Sequence, residues 1–213
     1  AFAGNPAPRP ARDEWAIETV FPDSGSGDIE LAGQQGPPLR LTATPGHDLP
    51  QSFSPDGHQL LIASTRWSDR GFASIGIVDM ATGSVRRLTR SGATDGGPSW
   101  HPDGTVIGFT RTDPDRGLQF VCVIDVSGER EQCREIAHWR LVGFAGWTRT
   151  AMLVLGDSNG VTVLFSVNRS LDVREVSRAY HSTNVSVDPS GRWLVEGGAR
   201  NGRTTWRVAP TDR

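Results

Sequence analysis

The chain has 213 residues, of which 36% are hydrophobic and 22% charged, so it is long enough for one domain with a substantial core. This composition excludes a disordered chain, and 25 glycines with 14 prolines argue against a helical bundle. All 22 basic residues are arginine, and the formal net charge is −2. Acidic and basic residues are interspersed, so the sequence has no basic stripe of the kind that binds nucleic acid. The sequence contains no run of about 18 apolar residues, so it predicts no membrane-spanning helix.

The first 14 residues are predicted to be a flexible leader. They have no apolar periodicity and contain three prolines, at positions 6, 8 and 10. The small residues around Phe2 resemble the end of a cleaved signal peptide, which favours export. Residues 15–213 are predicted to form a single domain.

A short motif repeats through that domain. Phe53-Ser-Pro-Asp-Gly recurs at Trp100 as Trp-His-Pro-Asp-Gly and at Val187 as Val-Asp-Pro-Ser-Gly, while a fourth copy at Trp147 has lost Pro-Asp-Gly. The four starting residues are separated by 47, 47 and 40 positions. Short apolar segments separated by turn residues follow each copy, so every unit predicts about four strands.

Four short strands cannot bury both faces of their own sheet. Packing such sheets radially hides the apolar faces, which predicts an all-β fold, a β-propeller of four-stranded antiparallel blades. Phe53, Trp100 and Trp147 are then expected to be wedges between blades. The units are about 15–48, 49–96, 97–141, 142–182 and 183–213, so five blades are predicted, the first lacking its innermost strand and the last its fourth. Alternatives are four blades, or part of a six-bladed ring.

The two cysteines are predicted to form a disulfide. Cys122 and Cys133 fall opposite each other if the segment folds as a hairpin about Gly128. A disulfide implies an oxidising compartment. The alternative is that the cysteines are two unrelated small apolar residues.

The repeated motifs resemble the WD40-like (PD40) repeat of TolB-like β-propellers. The resemblance rests on the Pro-Asp-Gly copies, the Asp-Arg-Gly turns at 69–71 and 115–117, and Arg-Leu-Thr at 87–89, and it covers about 15–210. It implies a bacterial, exported, non-enzymatic module that presents a loop-lined face to a protein or peptide partner. Periplasmic, cell-surface and secreted locations all fit, as does the soluble part of an anchored protein. No cofactor is expected.

Candidate binding residues lie in the loops that lead into the innermost strands. His47 matches His181 and Asp48 matches Asp95 in distance from the repeated proline. Imidazole and carboxylate groups on one rim could hold a divalent metal, with His47 and His181 as the candidate ligands. A metal would support the first alternative function, a polysaccharide lyase-like enzyme. The competing interpretation is a set of solvated loop and turn residues.

A second alternative function is carbohydrate binding by a lectin-like propeller. His138 and Trp139 lie in a loop before an innermost strand, and an exposed indole can stack on a sugar ring. An aromatic side chain that fills the gap between blades is the competing interpretation of Trp139. Arg66 and Arg111 follow equivalent second strands and are expected to pair with nearby acids.

Overall fold

The computed structural model describes residues 6–21, 26–33, 36–136, 139–158, 161–180, 184–187, 192–200 and 203–210. The strands of the first two sheets are β1 (Ala7–Pro8), β2 (Glu14–Phe21), β3 (Ser26–Gly33), β4 (Leu39–Arg40), β5 (Asp48–Phe53), β6 (Gln59–Ser64), β7 (Ser74–Asp79) and β8 (Val85–Arg87). The strands of the other sheets are β9 (Thr94–Trp100), β10 (Val106–Asp113), β11 (Leu118–Asp125), β12 (Glu131–Glu135), β13 (Arg140–Trp147), β14 (Ala151–Ser158), β15 (Val161–Asn168), β16 (Val173–Tyr180), β17 (Asn184–Val187), β18 (Trp193–Arg200) and β19 (Arg203–Pro210). Within these ranges there is no helix that could span a membrane.

Every sheet is an antiparallel meander, because strands that are consecutive in the chain are neighbours in the sheet. In the described residues, four sheets have four strands and the last, β17–β19, has three. The first strands of successive sheets, β1, β5, β9, β13 and β17, contact one another in that order. They therefore form the centre, with the fourth strands at the periphery, and the predicted β-propeller architecture is confirmed.

The repeated aromatic residues are wedges between sheets, as predicted. Phe53, Trp100 and Trp147 are 7%, 6% and 3% exposed, and each belongs to a core cluster that includes apolar residues of the preceding sheet. The indole of Trp100 also donates a hydrogen bond to the carbonyl of Ser52 (3.2 Å), and Trp147 donates to Ser99 (3.1 Å). Both acceptors lie in the innermost strand of the preceding sheet, so each indole joins two blades.

A bulge precedes each wedge. The pairing register of the innermost strand shifts at Gln51 in β5, at 97–98 in β9 and at Ala145 in β13, within three residues of the aromatic. A bulge bends a strand, increases its twist and re-aims the side chains that follow. The same irregularity at three equivalent places therefore positions the three wedges alike.

The residue types of the repeated Pro-Asp-Gly motif explain the turns that they form. Gly57 adopts φ +71°, a conformation that favours glycine, and Asp56 accepts a hydrogen bond from the backbone N–H of His58 (3.0 Å). The third blade repeats this arrangement. In the fourth blade, Thr148 accepts from the backbone N–H of Ala151 (3.0 Å). Thr148 corresponds to Ser54, whose hydroxyl likewise accepts from the backbone N–H that opens the next strand (Gln59, 2.9 Å), so this part of the turn persists in the copy that lost Pro-Asp-Gly.

The predicted disulfide is present. Cys122 in β11 and Cys133 in β12 are directly opposed, with Cα atoms 4.1 Å apart. The bond joins the third strand of the blade to its peripheral fourth strand.

The first blade contains an innermost strand that the sequence analysis did not predict. Ala7 and Pro8 form β1 and pair with β2, so a segment assigned to the flexible leader contributes to the first sheet. Arg9 anchors this segment: its Nε donates to the carbonyl of Gly57 (2.8 Å), and its guanidinium pairs with Glu14 (2.7 Å). A two-residue strand has no detectable periodicity, and its anchor lies 48 positions away in the chain.

Candidate functional site

Three of the predicted rim residues lie at the N-terminal ends of two neighbouring innermost strands, β5 and β9. His47 immediately precedes β5, Asp48 begins it, and Asp95 is the second residue of β9. His138 and His181 lie outside the described residues. The partnership of His47 with His181 therefore stays a prediction.

The two rim aspartates form ion pairs with Arg66 and Arg111, the two arginines that were expected to pair with nearby acids. Arg66 binds both carboxylate oxygens of Asp48, with Nε 3.1 Å from Oδ1. Arg111 binds Asp95 through Nε (2.6 Å) and reaches Glu131 through NH1 (2.6 Å). Both aspartate side chains are at most 2% exposed. The arginines therefore occupy carboxylates that the sequence analysis considered as ligands.

Burial and charge act in opposite directions on this cluster. Burial alone lowers the pKa of Arg111, but hydrogen bonds and charge from Asp95 and Glu131 outweigh it and raise that pKa above its ordinary value. Burial raises the pKa of the Asp95 carboxyl, while Arg111 acts to lower it. The guanidinium is thus held in its charged form, as a structural group between β9, β10 and β12.

Glu18, which the sequence analysis did not single out, lies beside His47. Its Oε1 is 3.7 Å from His47 Nδ1, its side chain is 3% exposed, and Oε2 is buried with no hydrogen-bond partner. Burial raises the pKa of Glu18, and the adjacent His47 imidazole acts against that rise. No group of three or more His, Cys, Asp or Glu side chains suited to a metal occurs in the described part of the chain.

Trp139 is partly buried and packs inside the fourth blade. Its ring meets that of Phe165 edge to face, with centroids 5.2 Å apart, and it borders the core cluster that contains Trp147. Phe165 belongs to the same blade, so this contact does not test whether Trp139 fills the gap between blades. Carbohydrate stacking by Trp139 remains a prediction.

A pocket of about 370 Å³ lies on the axis, at the C-terminal ends of the innermost strands. We call it the axial pocket. Strands β1, β5, β9, β13 and β17 all contribute to it. Its lining residues are Pro6, Ala7, Pro8, Pro10, Gln51, Ser52, Phe53, Pro55, Ser99, Trp100, Pro102, Gly146, Trp147 and Val187. It therefore lies at the end of β5 opposite to His47, roughly 17 Å away along a six-residue strand.

The axial pocket is mainly apolar, with Gln51, Ser52 and Ser99 as the polar side chains among its described lining residues. None of its described lining residues has an ionisable side chain, and five are prolines, which lack a backbone N–H. The Oγ of Ser52, one of the lining residues, is buried without a hydrogen-bond partner. The sequence contained a partial signal, because Pro55 and Pro102 are the prolines of the repeated motif. Both prolines follow an innermost strand, so their repeated position could have indicated a pocket at the C-terminal ends of these strands.

Comparison with known proteins supports the fold and leaves the activity open. No protein-family model matches the sequence. The chain is similar to a TolB-type protein from Agrobacterium tumefaciens (TM-score 0.70, 16% identity, 100% of this chain and 76% of that one). It is also similar to TolB from Acinetobacter baumannii (TM-score 0.68, 18% identity, 94% and 50%). A third similar structure is the β-propeller domain of the Trilobed protease from Pyrococcus furiosus (TM-score 0.70, 10% identity, 100% and 68%).

Other structures of similar fold are peptidases and an oligogalacturonate lyase. One propeller scaffold therefore occurs in proteins with several activities, so the activity of this chain must be argued from its own sites. The chain spans half the length of the Acinetobacter protein. Its repeats, its sheet order and these similarities together establish a TolB-like β-propeller fold.

Proposed function

We propose that the chain is a non-enzymatic recognition module that binds an uncharged, extended segment of a partner protein or peptide in the axial pocket. The observation that carries the proposal is the composition of that pocket: three aromatic side chains and five prolines line it, and none of the described lining residues has an ionisable side chain. Rigid strands position these walls, which suits recognition of a defined shape.

The chemistry of the pocket favours an apolar ligand over a charged one or a sugar. Sugars need many hydrogen-bond donors and acceptors, whereas prolines 6, 8, 10, 55 and 102 supply no backbone donor. Aromatic-lined grooves are typical of domains that bind proline-rich segments, which lose little conformational entropy on binding because their polyproline II conformation is already formed. The volume, about 370 Å³, lies at the lower end of the about 300–1,000 Å³ typical of ligand pockets, which suits a few side chains of such a segment.

Catalysis has less support. General acid–base chemistry needs a titratable group beside the substrate, and the axial pocket supplies none from its described residues. At the opposite end, the carboxylates of Asp48 and Asp95 are bound by arginines. We place the module outside the cytoplasm, because a disulfide such as Cys122–Cys133 persists in oxidising compartments.

Selection of phage-displayed random peptides on the immobilised protein tests the proposal. We expect the selected peptides to share an uncharged, proline-containing core. The variant Gln51→Trp, which fills the pocket from β5, should weaken their binding by about tenfold or more, equal to about 1.4 kcal/mol. The control is Leu39→Ser, which removes a 62% exposed side chain on the peripheral strand β4 and should leave affinity unchanged.

Three results would count against the proposal. The first is failure to select any peptide. The second is a set of peptides whose affinity is the same for the parent protein and Gln51→Trp. The third is turnover of a polysaccharide or peptide by the purified protein, which would contradict the non-enzymatic part.

A further inference from the structure

Glu18 in β2 and His47 enclose a small polar space beside the N-terminal end of the innermost strand β5. The carboxylate is buried, and its Oε2 has no hydrogen-bond partner. The imidazole is half-exposed, with Nδ1 3.7 Å from Glu18 Oε1. A buried carboxylate with one oxygen left without a partner is costly, so a cation that compensates the charge of this carboxylate from outside the chain gains free energy.

The space between the two side chains exists because residue 27 is glycine. A Cβ atom on Gly27 would lie 2.5 Å from Glu18 Oε1 and 2.8 Å from His47 Nδ1. Both distances are shorter than van der Waals contact, so any larger residue would enter the gap between the carboxylate and the imidazole. Gly27 thus keeps open a cradle of atomic size between an oxygen and a nitrogen ligand.

The backbone that carries His47 is held in place. The N–H of His47 donates to Thr65 Oγ1 (2.9 Å), and the N–H of Thr65 donates back to the carbonyl of His47 (3.0 Å). The N–H of Gly27 donates to the carbonyl of Gly46 (3.2 Å). Strand β2, with Glu18, and the segment before β5, with His47, are therefore set relative to each other before any ligand binds, which lowers the entropic cost of binding.

We propose that Glu18 and His47 bind one transition-metal ion, of which Zn²⁺ is the best match. With the ion about 2.1 Å from both His47 Nδ1 and Glu18 Oε1, the N–ion–O angle is about 124° at their observed separation of 3.7 Å. Shortening that separation by about 0.3 Å would give the tetrahedral angle. The exposed side of His47 lets the ion enter and leaves room for water ligands. This site is independent of the axial pocket, and it includes a residue, Glu18, that the sequence pattern did not indicate.

Calorimetric titration of the full chain with ZnCl₂ tests the site. We expect about one equivalent to bind, with Glu18→Gln and His47→Ala each weakening affinity at least tenfold. The control is His58→Ala, which removes an exposed imidazole from the Gly57 turn and should not change binding. Zn²⁺ should also raise the Tm of the parent protein and of His58→Ala, but not that of Glu18→Gln.

A third variant separates the ligands from the space they enclose. Gly27→Ala keeps Glu18 and His47 but fills the cradle, so it should lose Zn²⁺ binding while its far-ultraviolet spectrum stays that of the parent. If Gly27→Ala does not fold, the Glu18→Gln and His47→Ala titrations decide alone. Absence of Zn²⁺ binding, or binding that Glu18→Gln and His47→Ala leave unchanged, would overturn the proposal. Equal weakening by His58→Ala would identify an adventitious ion only.

Discussion

Replacing Trp147 should reveal how strongly the blades hold one another. The indole is 3% exposed and lies on Gly108 of the preceding blade, where an added Cβ would be 2.8 Å from Cζ2. It meets the ring of His101 edge to face at 5.0 Å and donates a hydrogen bond to Ser99 at 3.1 Å. Trp147→Ala removes all three contacts, whereas Trp147→Phe keeps an aromatic ring in the core but loses the N–H donor and part of the contact with Gly108.

The two substitutions should differ in size. A buried Trp→Ala change costs about 3–5 kcal/mol, because it removes apolar contact and leaves a cavity. Trp147→Phe should cost about 1–2 kcal/mol, since one hydrogen bond is lost and the carbonyl of Ser99 keeps no indole donor. Trp15→Phe is the matched control: Trp15 is 45% exposed, and its replacement should change stability by no more than about 0.5 kcal/mol.

Urea denaturation followed by far-ultraviolet circular dichroism measures these differences, since loss of a tryptophan does not remove that signal. The free energies of unfolding should decrease in the order parent, Trp147→Phe, Trp147→Ala, with similar m-values. If Trp147→Ala costs less than about 1 kcal/mol, or no more than Trp15→Phe, the indole does not hold the third and fourth blades together. The account of the wedges would then be wrong.

Three further predictions concern groups away from the axis. Removing the disulfide by Cys122→Ala with Cys133→Ala should lower the free energy of unfolding by about 3 kcal/mol for this separation of 11 residues; equal urea midpoints would contradict this. Burial alone raises the pKa of Asp125, but hydrogen bonds from its turn outweigh burial and lower that pKa. The ionised Asp125 carboxylate therefore stabilises the folded protein at neutral pH, and this stabilisation is lost as the pH falls below about 3.9. Asp125→Asn keeps an acceptor, as Asn168 does at the equivalent turn, so acid titration of stability should show a shallower decline with little change at pH 7. Arg111→Met leaves two carboxylates without their cation and should cost about 3 kcal/mol in the same denaturation assay; a neutral result would show that the cluster is dispensable.

The repeat made the blade predictable. Each turn is specified by adjacent residues, such as the Asp56 carboxylate that accepts the backbone N–H two residues later. Cys122 and Cys133 could be paired because a hairpin fixes which residues face each other over a short separation. The spacing of Phe53, Trp100 and Trp147 was sufficient to identify the wedges, because one role recurs once per blade.

The sites depend on distances between blades, which adjacent residues do not encode. The axial pocket forms only when five strands spread from Ala7 to Val187 converge, and the Glu18–His47 cradle needs a second strand of one blade beside the first strand of the next. The sequence by itself therefore determined the turns, the strands of the repeated units and the order in which the sheets pack, since these follow from local geometry repeated along the chain, but not the two-residue strand Ala7–Pro8. Only the tertiary structure decided which polar groups are paired and which are left open, because that depends on how neighbouring sheets approach one another.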